Sequence, residues 1–172
     1  MNVSSLQDII SNGKRGSKSQ CLKRASEALN KGESVIIDRC NLIKEQWFEF
    51  LELAKPQTEV HAVVLDLPIK ICISRAVKRT EHEGGLQGGR AAAAINQMAQ
   101  TKKPPTLSEG FSRIMFCQTE TDVEKAICMY RELGLDDVLP SGMHGDKPQG
   151  GMLHFFQKKR DLQIVSRQLK IG

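Results

Sequence analysis

The stretch "EVHAVVLDL" (Glu59–Leu67) decides the fold class. It is a nearly continuous, β-branched apolar run, the pattern of a strand covered on both faces rather than wetted on one. "SVIID" (Ser34–Asp38) reads the same way, and "SRIMFC" (Ser112–Cys117) is a shorter third candidate. Helical patterns lie around them, at Lys18–Lys31, Ile43–Lys55, Ile69–Thr80, Ala91–Thr101 and Thr121–Leu133. Gly32 and Pro56 are placed to stop the first two, and Pro68 suits the first turn of the third. Strand alternating with helix predicts an α/β fold, a parallel sheet with flanking helices.

Composition agrees with a globular chain. Of 172 residues, 40% are hydrophobic and 26% charged, enough for one domain with a real core. The apolar runs are too short to span a bilayer, and "MNVSSLQDIISNGKRG" lacks the order of a signal peptide. No membrane partner is expected, and the chain is read as a monomer. The five cysteines form no C-x-x-C pair, so buried, reduced thiols are expected rather than a zinc site. The net charge of +5 suits a polyanionic partner. Five cations and no acids fall between Lys14 and Arg24.

Within that basic stretch, "NGKRGSKSQ" (Asn12–Gln20) nearly spells a phosphate-binding loop, G-x-x-x-x-G-K-[ST]. Ser17 separates Gly16 from Lys18, and the upstream "SSLQDIIS" makes a poor strand. The expectation is therefore a basic loop capping a helix. It presents Lys14, Arg15 and Lys18 to phosphates of a nucleic acid.

The order of "VIIDRCN", "VVLDLPIKICISRAVKR", "RTEHEGGLQGGR" and "PPTLSEGFSRI" resembles the polynucleotide 5′-kinase branch of the P-loop NTPase kinases, over most of residues 1–133. With "QDIISNGKRGSKSQCLK" it looks closer still to the kinase-like domain of plant aprataxin-like proteins, sometimes labelled basic helix-loop-helix factors. That family is implied to act in nuclear DNA single-strand break repair, using Mg²⁺ and ATP in its kinase-like domain. The resemblance implies catalytic roles for Asp8, which would orient an attacking hydroxyl, and for Asp38, which would also hold Mg²⁺. Arg79 corresponds to a lid arginine, with Arg75 one turn behind it. Asn41 joins the phosphate-binding set. In the family a first strand and its P-loop lie upstream of the "QDII" segment, so both are expected to be missing here. No H-x-H-x-H motif is present either. The reading is a DNA-end or nick-binding domain without kinase activity and without tight ATP binding. An active polynucleotide 5′-hydroxyl kinase is the alternative. A transcription factor is disfavoured, because no basic helix-loop-helix pattern is found.

A domain boundary is placed near Leu139: residues 1–138 form the α/β domain and residues 139–172 a flexible linker and disordered tail. "LPSGMHGDKPQGG" carries the Gly and Pro of a linker. After it, Gln149, Met152, Phe155 and Phe156 fit Q-x-x-[LMI]-x-x-[FY]-[FY], the pattern that docks on the sliding clamp PCNA. One 3₁₀ turn would put its apolar members on one face.

Overall fold

The computed structural model describes residues 3–7, 9–10, 14–15, 17–79, 87–134, 137–145 and 161–168. First in the chain come β1 (Val3–Gln7) and a small antiparallel ribbon, β2 (Ile9–Ile10) with β3 (Lys14–Arg15). Next are α1 (Lys18–Asn30), β4 (Ser34–Arg39), α2 (Lys44–Leu51) and β5 (Thr58–Leu65). Helices α3 (Ile69–Lys78) and α4 (Gly88–Thr101) pack on each other ahead of β6 (Arg113–Cys117) and α5 (Glu120–Glu132). The last described strands are β7 (Gly142–His144) and β8 (Asp161–Gln168).

Six strands form one sheet in the order β1-β4-β8-β5-β6-β7. The pairs β1/β4, β5/β6 and β6/β7 are parallel, and β8 runs antiparallel to both of its neighbours. This is the expected α/β architecture. Val60 to Val64 of β5 are buried without a break, as the uninterrupted apolar run predicted. On one face, Val35, Ile37, Val60, Ala62, Val64, Ile114 and Phe116 pack with Cys21, Ala25 and Leu29 of α1 and Trp47 and Phe50 of α2. On the other, Val63 and Cys117 meet Ala126 of α5. Helices therefore cover both faces.

Local signals explain the helix ends. Ser17 Oγ accepts from Gln20 N at 3.2 Å, and Gln20 Oε1 accepts from Ser17 N at 2.9 Å. The residue that spoils the phosphate-loop pattern is thus the N-cap of α1, in a complete capping box. At the other end, Gly32 takes φ +75°, and Glu33 N donates to Ala28 O at 3.0 Å. Two helices start or stop away from expectation. Helix α4 begins at Gly88 rather than Ala91, and α2 ends at Leu51 rather than Lys55.

Two strands lie within residues 139–172. "GMH" is a strand paired in register with Arg113–Met115, and "DLQIVSRQ" is a strand between β4 and β5. The sheet extends past Leu139. What looked like linker glycine has a structural reason: Gly142 and Gly145 adopt φ +113° and +87°, bracketing β7. Arg113, 5% exposed, pins the same strand by donating to Pro140 O at 2.5 Å and contacting His144 Nε2 at 2.7 Å. Arginine only donates, so that contact casts His144 Nε2 as the acceptor. The expectation of buried thiols holds for Cys21 and Cys117 but not for Cys40 and Cys128, which are exposed. Cys40 follows the end of β4, and Cys128 lies two residues beyond the inward-facing Ala126.

Candidate functional site

Parallel strands deliver their following residues to one edge of the sheet, where open α/β folds bind ligands. Here β4 delivers Asp38, Arg39 and Asn41, β5 delivers Asp66, and β6 delivers Gln118. Asp66 is wholly buried, 0% exposed, and its N–H donates to Cys117 O at 2.6 Å, extending the β5/β6 pairing. Its carboxylate accepts from Gln118 Nε2 at 3.2 Å and pairs with Lys102 Nζ at 3.6 Å. Lys102 directly follows α4, and Lys103 N donates to Leu42 O at 2.7 Å. The strand ends and the root of the α3–α4 pair are therefore tied together.

Asn41 is 4% exposed and takes φ +36°, a left-handed conformation that Asn tolerates better than most side chains. Among the described residues its Nδ2 has no hydrogen-bond partner. It lines a cavity of about 10 Å³ together with Leu42, Val64, Lys102, Lys103, Pro104 and Pro105. That volume admits about one water molecule.

The residues singled out in the sequence are distributed unevenly around this edge. Asp38 pairs in register with Gln7 of β1 and with Gln163 of β8, so it sits at the edge with Asn41. Lys18 lies elsewhere, bound to Glu49 Oε1 at 2.8 Å and to Glu45 O at 3.2 Å on α2. Arg75 pairs with Glu120 at the start of α5, and Arg79 caps α3 with an exposed side chain. Lys14 and Arg15 are placed only as the backbone of β3. Asp8, Gln149, Met152, Phe155 and Phe156 lie outside the described residues. Sequence reading passed over Asp66, Lys102 and Gln118. The available signal was an acid set between two leucines at the end of a buried strand.

Burial also decides against one chemistry. The Cys117 thiol is pushed up to about 11 by burial, and the nearby Asp122 charge adds to the effect. A thiol held protonated in this way is a poor nucleophile. Among the described residues no three His, Cys, Asp or Glu side chains gather as a metal site. No helix among them is long and apolar enough to cross a membrane.

A largely parallel sheet with ligand-ready strand ends and helices on both faces is shared by many families. The sequence comparison narrows the choice: the family described as "AAA domain" matches residues 4–105, more than half of the chain. The chain belongs to the AAA-domain family. Its kinase-like P-loop fold accounts for the layered sheet described above. Similarity to one curated relative is also high. "Transcription factor bHLH140" of Arabidopsis thaliana is 57% identical over 165 residues, covering 93% of this AAA-domain chain. The chain spans 18% of that relative's length.

Proposed function

We propose that this AAA-domain chain recognises phosphate groups of nucleic-acid ends or nicks at the strand-end edge, without itself transferring phosphoryl groups. One observation supports this above others: the buried Asp66–Lys102 pair lies beside Asn41, whose amide is unpartnered, at the edge where this fold class binds ligands. Asp38 stands at the same edge. Asp38, at the end of a strand on this edge, is the carboxylate proposed to meet Mg²⁺ arriving on a ligand's phosphates. Mg²⁺ needs only one or two carboxylates when phosphates and water complete its shell. Arg79 adds positive charge at the exposed end of α3, whereas the charge of Arg75 is met by Glu120.

The fuller form of this reading is an aprataxin-like, nuclear DNA single-strand break repair protein. It rests on the sequence resemblance, and the relative's printed name points instead to transcription. Docking on PCNA through Gln149, Met152, Phe155 and Phe156 rests on the motif alone. A pull-down with the Phe155→Ala/Phe156→Ala pair tests it, and unchanged capture of PCNA would remove the claim.

The decisive measurement is a titration of the full chain with 5′-phosphorylated and 5′-hydroxyl oligonucleotides and with Mg·ATP. The reading expects the 5′-phosphorylated oligonucleotide to bind, with affinity falling as salt rises. Absence of oligonucleotide binding would overturn it. A second reading, an ATP-dependent polynucleotide 5′-hydroxyl kinase, is favoured by the AAA-domain match together with Asp38 at a strand end. It predicts label transfer from ATP to the 5′-hydroxyl oligonucleotide, lost in Asp38→Ala.

A further inference from the structure

We infer that the small cavity beside Asn41 is the seat of one phosphoryl oxygen, with the Asn41 amide and the Lys102 ammonium as its donors. The inference deepens the proposed phosphate-recognition reading and rests on it.

A buried amide N–H₂ without a partner is costly, and each one in a folded chain calls for something that meets it. Asn41 is held in place on the backbone side, not by its amide. Its left-handed φ of +36° turns the chain out of β4, and the next residue's N–H is capped by Gln46 Oε1 at 2.5 Å. Asn41, its Nδ2 unpartnered among the described residues, lines a cavity of about 10 Å³, the volume of about one oxygen-sized group.

The electrostatics select an anion with high charge per oxygen. Lys102 and Lys103 both line the cavity. The Asp66 carboxylate is engaged by Lys102 at 3.6 Å and by Gln118 at 3.2 Å, so it is met from two sides. A lysine ammonium is a compact point charge with three donors, and the Lys102 ammonium stands 3.6 Å from the Asp66 carboxylate. A phosphate monoester brings a charge of about −1.5 to −2 near neutral pH and several strong acceptor oxygens, more than a carboxylate offers. The cavity admits a single oxygen, so the rest of the phosphate group would face the strand-end edge where Asp38 lies. Asp66 is a positioning residue, because it holds Lys102 at the cavity.

The test compares wild type with Asn41→Gly and with the Asp66→Asn/Lys102→Met pair. Glycine at position 41 preserves the left-handed backbone while deleting the amide. The paired change removes both buried charges together and so avoids stranding one. Thermal melting confirms that each variant is folded. Binding is measured for 5′-phosphorylated and 5′-hydroxyl forms of one oligonucleotide, with inorganic phosphate and ATP as competitors. Wild type is expected to prefer the 5′-phosphorylated form by about tenfold, and folded Asn41→Gly to lose that preference. Competition by ATP would assign the seat to a nucleotide phosphate, and its absence to a nucleic-acid end. Either source satisfies the inference. A folded Asn41→Gly with the wild-type preference overturns it while leaving edge binding intact. Should Asn41→Gly not fold, the paired variant decides by the same ratio. A wild type that binds no oligonucleotide overturns the inference together with the reading beneath it.

Discussion

Asp66 and Lys102 show how one buried charge constrains another. Removing only Lys102 takes the ammonium away from a wholly buried carboxylate. Lys102→Met is therefore expected to destabilise the fold by about 3 kcal/mol, and the Asp66→Asn/Lys102→Met pair by much less. Urea denaturation of both variants checks this, and equal losses would mean that the pair is not coupled. Asp122 makes a pH-dependent case. Its carboxyl is lowered mainly by the Thr119 side chain, then by the backbone N–H groups of Thr119 and Gln118, which it accepts at 2.9 and 3.1 Å. A carboxyl lowered in the folded state contributes stability above its unfolded value of about 3.9, and loses it as pH falls through the lower folded value. Asp122→Ala should cost about 1 kcal/mol at pH 7, and the gap from wild type should narrow on acidification below about pH 4. A gap that stays constant down to pH 2 would show that the charge plays no part.

Elements were legible where local chemistry and tertiary demand agree. Helix α1 is capped by Ser17 at one end and ended by Gly32 at the other, both visible in the sequence. Strand β5 announced itself because a strand covered on both faces cannot alternate. Strand β7 was not legible, because "SGMHG" carries the composition of a linker and only its neighbours make it a strand. A Cβ on Gly145 would lie 2.3 Å from Phe116 O, in addition to the φ of +87°. Gly145→Ala is accordingly expected to cost about 1–3 kcal/mol and to release β7. Hydrogen exchange at Gly142–His144 reads this directly: their amides should lose protection in the variant. Retained protection would mean that Gly145 is incidental to β7.

For the whole molecule, the sequence disclosed the class but not the closure of the sheet. Runs such as "SVIID" and "EVHAVVLDL" state that both faces of a strand are covered, yet say nothing about which strands lie side by side. The site followed the same division. Asp38 and Asn41 were readable because they follow an apolar strand, whereas Lys102 reaches the edge only through the path of α3 and α4. Strand order carries the largest consequence. Strands β4 and β5 do not pair with each other, and β8 bonds to both, with Ile164 opposite Ile37 on one side and Ala62 on the other. A proline at position 164 would delete a backbone donor within the middle of the sheet and force its neighbours apart. If residues 161–168 lay outside the fold, the same substitution would be nearly silent, as surface changes usually are. Ile164→Pro is therefore expected to cost about 3 kcal/mol, a fall in melting temperature of roughly 6–12 °C for a chain of this size. A melting temperature within about 1 °C of wild type would remove β8 from the sheet and leave β4 and β5 to be joined by packing alone.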